Sequence, residues 1–320
     1  MDRAIPEISV VIPTRNGART LPLLLERLHG QDCCQSMEIV VIDSASTDQT
    51  PERARQAGAR LLTVSEDTFD HGGTRSLAAQ KARGKYLVFL TQDAIPADSS
   101  CISNLIAPMK KQREVAVTYG RQLPHANATP FARHLRRFNY GEQSCVRSLQ
   151  DKKRQGLRTI FVSNSCAAYR SSALKEVGYF GENHLFAEDA CTVGRLLLKG
   201  YSIAYVAEAR VYHSHNYTIM EEFRRYFDVG AFHRQQHWLI EEFGTAGGAG
   251  RSYVRSEAAF LIGGGKGHLL PSFILRTAMK LAGYKLGYYY TVLPGWLCAR
   301  LSMNPGWWQK NDRSKLGENT

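Results

Sequence analysis

The sequence predicts an α/β fold: a mostly parallel central sheet covered by helices, with a helical C-terminal extension. Two observations predict the sheet. Short apolar runs alternate with amphipathic segments across the first hundred residues, and those runs are apolar at every position rather than every second one. Continuous apolar strands belong to sheets buried on both faces, and strand–helix alternation makes such sheets parallel. A third observation, the loss of strand-like runs beyond residue 215, predicts the extension.

Taken in order, residues 8–12 read as a buried strand ended by Pro13. Residues 18–29 place Leu21, Leu24, Leu25 and Leu28 at helical spacing. A second strand over 38–42 runs into the polar stretch 43–48, followed by a helix over about 50–57 and a third strand over 60–64. A helix over 74–83 leads to a fourth strand over 85–90, which ends at Thr91-Gln92-Asp93. A helix over 98–112 and a strand over 115–119 follow. Residues 121–158, rich in Arg and His and broken by Pro124 and Pro130, read as an insertion or flexible loop lining the site. Regularity returns at 159–168, with helices over 171–177 and 188–200, the latter ended by Gly200. Short strands over 203–206 and 211–213 precede one amphipathic helix over 218–243. The expected units are residues 1–215 and a helical region, 216–320.

The 320 residues carry 41 Lys and Arg against 29 Asp and Glu, a net charge of +12. That excess implies an anionic partner: a nucleic acid, a membrane surface or a phosphorylated substrate. Seven cysteines without a Cys-x-x-Cys pair point to a reducing cytoplasm rather than a secreted disulfide framework or a zinc site. The N-terminus lacks the apolar core of a signal peptide, and no run approaches the roughly 20 apolar residues needed to span a bilayer.

In a parallel sheet, ligands bind beyond the carboxyl ends of the strands. Thr14-Arg15-Asn16, the 43–48 stretch and Gln92-Asp93 all lie at those ends. Asp43 can accept the imide N–H of a uracil or thymine ring, or simply cap a turn. Asp93 can anchor a hard divalent cation, or again serve a turn. Glu188 and Asp189 open a helix, where adjacent side chains point about 100° apart, so they cannot share one job. Asp189 is the candidate general base; helix N-terminal electrostatics is the plain alternative. His213 and His215 lie on one side of a strand end, where one imidazole can complete a metal shell and the other can touch phosphate or carry structure. The glycine-containing stretches at 71–75 and 263–267 match neither the dinucleotide nor the P-loop spacing.

In this order, VVIPTRN at 10–16, VIDSASTD at 41–48, FLTQDAIP at 89–96, AEDACTVGRLLLKGY at 187–201 and VYHSH at 211–215 resemble the family 2 inverting glycosyltransferases, which have the GT-A fold. More narrowly, TFDHGGTRS at 68–76 with TQDA at 91–94 resembles bacterial rhamnosyltransferases that build O-antigen and related surface polysaccharides. The resemblance implies that Pro13, Thr14, Arg15, Asp43 and Gln92 hold the nucleoside end of the donor. It also puts Arg75 in a glycine loop, facing the diphosphate. Asp93 and His213 would hold Mg²⁺ or Mn²⁺, and Asp189 would be the base, with Glu188, His71 and His215 as further candidates. Thr91 stands where the family's metal motif often has its first Asp. The implied reaction moves L-rhamnose from dTDP-β-L-rhamnose to a saccharide acceptor, commonly carried on a polyprenyl diphosphate lipid. Another UDP- or dTDP-sugar, or a non-catalytic nucleotide-sugar-binding scaffold, are the competing readings.

Residues 258–311 contain six Lys or Arg and no Asp or Glu, interleaved with Phe260, Phe273, Tyr284, Tyr288, Tyr289, Tyr290, Trp296, Trp307 and Trp308. This pattern suits an interfacial segment on an anionic bilayer at the inner face of the plasma membrane, or aromatics packed as a cap on the catalytic domain. With no recognised nucleic-acid motif, nucleic acid is not the expected partner.

Overall fold

The computed structural model describes residues 5–66, 69–245 and 248–311. Thr68 of the TFDHGGTRS stretch, the N-terminal residues 1–4 and the tail 312–320 lie outside the described residues. The first half of the chain alternates as read: β1 (Ile8–Thr14), α1 (Leu21–His29), β2 (Met37–Ser44), α2 (Thr50–Gln56), β3 (Arg60–Val64), α3 (His71–Lys81) and β4 (Tyr86–Leu90). The short β5 (Ile95–Pro96), α4 (Cys101–Lys111), β6 (Val115–Leu123), α5 (Pro130–Asn139), β7 (Cys145–Arg147) and α6 (Lys152–Gln155) come next. The sheet part closes with β8 (Cys166–Arg170), α7 (Ser171–Glu176), α8 (Glu188–Leu198) and β9 (Ser202–Tyr212).

The strands form one sheet in the order β3-β2-β1-β4-β8-β6-β9-β5, with β7 on β9. β1 to β4, β6 and β9 run in one direction, and β8 is the reversed strand inserted between β4 and β6. Successive residues of the central strands enter opposite cores. Val11, Val40, Leu87 and Phe89 pack on one face, and Val10, Ile12, Val41 and Val88 on the other. Burial on both faces is the reason these runs are apolar throughout. Pro13 lies beyond the last β1–β4 pair, Val11 with Phe89, so its missing N–H costs no ladder bond on that side.

Three readings need correction. Residues 121–158 are not a loop: β6 runs on to Leu123, and α5 starts with Thr129 accepting from the Ala132 N–H and Pro130 in the first turn. Proline there opens a helix instead of breaking one. The two short strands near 203–213 are one strand, with a register shift against β6 at Gly120 and Arg121. The helix over 218–243 is two, α9 (Ile219–Gln235) and α10 (His237–Phe243), parted at Gln236.

Beyond Tyr212 the described chain is helical: α9 and α10, then α11 (Ala249–Gly263), α12 (Leu270–Tyr288), α13 (Gly295–Leu301) and α14 (Pro305–Lys310). No helix among the described residues is long and apolar enough to cross a membrane. Buried charges tie these helices together. Glu222 of α9 meets Arg276 at 3.0 Å and Lys280 at 3.4 Å, both on α12, and the fully buried Glu257 of α11 lies 4.0 Å from the same Lys280. Asp228 of α9 accepts from the Ser302 hydroxyl at 2.5 Å, the Met303 N–H and the Asn304 amide, anchoring the turn between α13 and α14. Most of the tail aromatics face inward: Phe273 and Trp308 are buried, and Phe260, Tyr284, Tyr288, Tyr290 and Trp307 are half-buried. Only Tyr289 and Trp296 of the nine stand exposed, so the packed-cap reading describes most of them.

α9 and α12 approach backbone to backbone. A Cβ at Gly287 would lie 1.9 Å from the Phe227 carbonyl oxygen, and one at Gly283 would lie 2.4 Å from that of Phe223. Gly287→Val should therefore force the helices apart and cost at least ~2 kcal/mol. On the exposed side of the same helix, Ala278→Val should stay within ~0.5 kcal/mol. Urea denaturation of the two variants checks this; equal midpoints would contradict the close packing.

Candidate active site

The loops at the carboxyl ends of β1, β2 and β4 are stitched together. Asp43 is buried opposite Thr14 in the parallel register. One of its oxygens accepts from the Thr14 hydroxyl at 3.1 Å and the Ser46 hydroxyl at 2.6 Å; the other accepts from the Ser46 N–H at 2.9 Å. Asp43 thus organises the turn after β2, and the capping alternative describes these contacts. The Asn16 N–H donates to the Ser46 hydroxyl at 2.8 Å, and the Asn16 side chain accepts from the Thr47 N–H. Gln92 clasps Arg15 from the β4 side, accepting from its N–H at 3.1 Å and donating to its carbonyl at 3.2 Å. A Cβ on Gly17 would fall 2.5 Å from that same Gln92 oxygen, so a side chain there would displace the clasp. The Arg15 guanidinium itself turns to Glu66.

Asp93 sits next to Gln92, and β5 pairs with the end of β9, Ile95 opposite Tyr212. That pairing brings the strand-end histidines to Asp93. The two carboxylate oxygens lie 3.6 Å from the His213 Nε2 and 3.8 Å from the His215 Nε2, and the two imidazole nitrogens lie 3.1 Å apart. These three side chains are the one group among the described residues whose donor atoms converge closely enough for a metal ion. Ligand bonds of about 2.1 Å at right angles give edges of about 3 Å, close to this spacing.

The tautomer of His213 is fixed from behind. Gln122 accepts from Arg136 at 2.7 Å, so its carbonyl oxygen faces the ring, and it lies 2.9 Å from the His213 Nδ1. Nδ1 is the donor, and the Nε2 lone pair is left toward Asp93. Burial pushes His213 down to about 3, against the pull of Asp93, so the ring is neutral at physiological pH. His215 is lowered too, chiefly by burial. His215 adds a third donor to the two that the sequence singles out, so the set does not depend on a carboxylate at Thr91.

Gln122 also donates to the Ser163 hydroxyl at 3.1 Å, and the next residue, Asn164, reaches the α8 carboxylates. The Asn164 N–H donates to Asp189 at 3.1 Å, and its side-chain amide donates to Glu188 at 3.0 Å. The Tyr169 hydroxyl, donating at 2.8 Å, fixes the Asn164 amide. Ala187, immediately before, is held in the left-handed region with φ 57°, a costly conformation for alanine that turns the chain into α8. The two carboxylates then part. Glu188 is buried; burial alone would raise it, but Arg75 at 3.1 Å, His71 and the Asn164 amide hold it below the usual carboxylate range. Asp189 is half-buried and pushed up to about 7, first by burial and then by the Glu188 charge. A carboxyl poised near 7 can take a proton from a hydroxyl at physiological pH.

Arg75 needs correction. It lies inside α3 and not in a glycine loop, since both glycines belong to that helix behind its Asp70 cap, and its guanidinium is spent on buried Glu188. His71, lowered by burial, borders the same pair and bonds the Asn304 side chain. Asn164, Gln122 and Ser163 were not singled out in the sequence; they belong to no motif and act only through residues distant in the chain.

Gln122→Leu should loosen His213 and weaken Mn²⁺ binding by ~10–100-fold, as loss of such supporting bonds typically does. Isothermal titration with Mn²⁺ reads this directly, with His213→Ala abolishing the heat. Full-strength binding by His213→Ala would remove this cluster as a metal site.

The family model described as glycosyl transferase family 2 matches residues 9–178. The chain is 41% identical to the O-antigen chain rhamnosyltransferase RfbN of Salmonella typhimurium, over 98% of this chain and 99% of that one. It is 39% identical to the O-antigen chain rhamnosyltransferase WbaN of Salmonella anatum, over 98% and 99%. Among solved structures, a mannosyltransferase from Pyrobaculum calidifontis, solved with GDP-Man and Mn²⁺, superposes with a TM-score of 0.63 at 18% identity, over 90% of this chain and 88% of that one. TarS of S. aureus (residues 1–349) superposes with a TM-score of 0.53, also at 18% identity, over 89% and 91%. These two likenesses carry the GT-A fold. With a family match over more than half its length and relatives near 40% identity from end to end, the chain belongs to glycosyl transferase family 2.

Proposed function

We propose that the protein transfers L-rhamnose from dTDP-β-L-rhamnose to a saccharide acceptor carried on a polyprenyl diphosphate, in the synthesis of a surface polysaccharide. The end-to-end likeness to two O-antigen chain rhamnosyltransferases supports the sugar. The observation that carries the chemistry is a carboxyl poised near 7, joined through Asn164, Ser163 and Gln122 to a cluster of two imidazoles and one carboxylate.

In this reading Asp189 is the base. The Asn164 and Ala190 N–H groups hold its two oxygens while it takes the proton of the acceptor hydroxyl. That oxygen attacks the anomeric carbon from the face opposite the diphosphate. The bond from carbon to the phosphate oxygen breaks, and dTDP leaves with the electron pair. One displacement inverts the centre and gives an α-L-rhamnoside. Asp93, His213 and His215 would hold the divalent cation, and the imidazole pair favours Mn²⁺ over Mg²⁺. When bound, the cation neutralises charge developing on the leaving diphosphate. The turns around Pro13, Thr14, Arg15, Asp43 and Gln92 form the nucleoside cradle. Glu188, kept ionised by Arg75, is a positioning residue.

In this reading the unit over 1–215 binds the donor and carries the catalysis, and the described helices of the unit over 216–320 face the acceptor and the bilayer. The exposed side of α12 supports this reading. Ile274, Leu275, Leu281, Leu286 and Tyr289 form an apolar stripe at helical spacing, continued by Val292 and Trp296. Lys285 alone interrupts it, and no acid lies in that stretch. Such a face suits peripheral docking at the inner, anionic leaflet of the plasma membrane.

Asp189→Asn should still bind dTDP yet lose at least ~100-fold in transfer, the scale of a general base. Near wild-type turnover would exclude it. For the wild type, kcat/KM should rise with pH through about 7, because only ionised Asp189 accepts a proton; a flat profile from pH 5 to 8, about the range histidine-like groups titrate in, speaks against it. Ile274→Asp combined with Leu281→Asp should abolish sedimentation with anionic liposomes and leave dTDP binding intact. Undiminished sedimentation would discard α12 as the docking face.

A further inference from the structure

A cavity of about 610 Å³, lined by none of the residues of the nucleoside cradle, is bounded by Asn183, the end of α9, residues 290–298 and α14. Its size falls within the roughly 300–1,000 Å³ of small-molecule sites. Aromatic faces come from Tyr290, Trp296 and Trp307, and amides from Asn183, Gln235 and Gln236. None of the described lining side chains is charged, although the protein as a whole carries +12. A phosphate, a nucleotide or an acidic ligand would find no counter-charge among these side chains. A lipid chain would leave the amides without hydrogen bonds, at a cost of about 1–3 kcal/mol per buried group. A neutral ring with both apolar C–H faces and hydroxyl edges satisfies both halves of the wall.

The polar groups are placed for a ligand. The Gln236 amide is occupied, meeting the His184 Nδ1 at 3.2 Å and accepting from the Trp238 indole at 3.0 Å, so it shapes the wall. The neighbouring Gln235 amide and the side-chain amide of Asn183 make no hydrogen bond to a described residue. Trp296 is 66% exposed, with its ring open to whatever enters.

The cavity is also joined to the base. The Trp307 indole donates to the Asn183 carbonyl at 3.3 Å, and the Asn183 N–H donates to Asp70, the cap of α3. Asn183, with φ 57°, begins the short loop that ends at Ala187 and delivers Glu188 and Asp189. A ligand seated on Trp307 therefore rests against the loop that positions the base.

We propose that this cavity is a subsite for a neutral hexopyranose ring of the acceptor saccharide. Trp296 and Trp307 stack on the ring, and Gln235 and Asn183 bond its hydroxyls. The proposal rests on the glycosyltransferase reading of Asp189, and it adds where the acceptor is held.

The test uses the full-length protein without donor or membrane. Saturation-transfer NMR is recorded with the methyl glycosides of rhamnose, mannose, galactose and glucose, alongside a thermal shift with dTDP. At least one glycoside should receive saturation and should not be displaced by dTDP. Trp296→Ala and Gln235→Ala, both at accessible side chains, should weaken it by at least ~10-fold, the scale of one lost ring or hydrogen-bond contact, with the dTDP shift unchanged. In steady-state transfer the same variants should raise the acceptor KM more than they lower kcat. No saturation of any glycoside, or equal binding by both variants, overturns the subsite. Glycoside binding without any dTDP shift would sink the donor reading and leave the subsite standing.

Discussion

Two adjacent carboxylates at the start of one helix cannot both stay ionised in a half-dry site without a counter-charge. The centre of this protein is arranged around that constraint. Arg75, from the buried face of α3, takes Glu188 and keeps it charged. Asp189 has no ion pair of its own among the described residues; burial and the Glu188 charge outweigh the pull of two backbone N–H groups and of the more distant Arg75, and move it up to about 7. The same helix start thus yields one fixed anion and one group ready to exchange a proton. Two carboxyl groups pushed apart in this way are how a protein assigns different work to like side chains.

The reversed strand β8 makes the arrangement possible. By entering between β4 and β6 it brings the 163–164 turn beneath both α8 and the end of β6. Asn164 then serves both carboxylates, while Ser163 reaches Gln122 and, through it, His213. The Asp189 carboxyl and the cluster of Asp93, His213 and His215 are parts of one hydrogen-bonded frame. The C-terminal helices close that frame from the other side. Asp228 fixes the 302–304 turn, whose Asn304 bonds His71, and Trp307 holds the loop before α8. Close packing of α9 on α12 holds those helices in place.

The parts of this frame that were legible in the sequence are those with local patterns. Apolar runs marked β1, β2 and β4, and polar residues at their ends marked Asp43 and Asp93. A carboxylate pair at a helix start marked Asp189, and alternate histidines at a strand end marked His213 and His215. The rest was illegible because its meaning lies in tertiary contacts. Nothing local distinguishes Gln122 or Asn164 from any other amide, and only the fold shows that Arg75 is consumed by Glu188. Proline at 130 carries opposite meanings inside a helix and at its first turn, and for that reason the run 121–158 reads as a loop. The tail aromatics were countable, but whether a ring faces inward depends on a partner helix, and seven of the nine do. The exposed apolar face on α12 is mainly aliphatic, with Tyr289 and Trp296 at its end.

The division of labour between Glu188 and Asp189 is open to direct measurement. Carboxyl ¹³C NMR on protein labelled at aspartate, with the Asp189 signal assigned by its loss in the Asp189→Asn variant, follows that group through a pH titration. The account predicts that Asp189 titrates near 7 and moves acid when Glu188→Gln removes the like charge. Titration in the ordinary aspartate range, unchanged by Glu188→Gln, would contradict it.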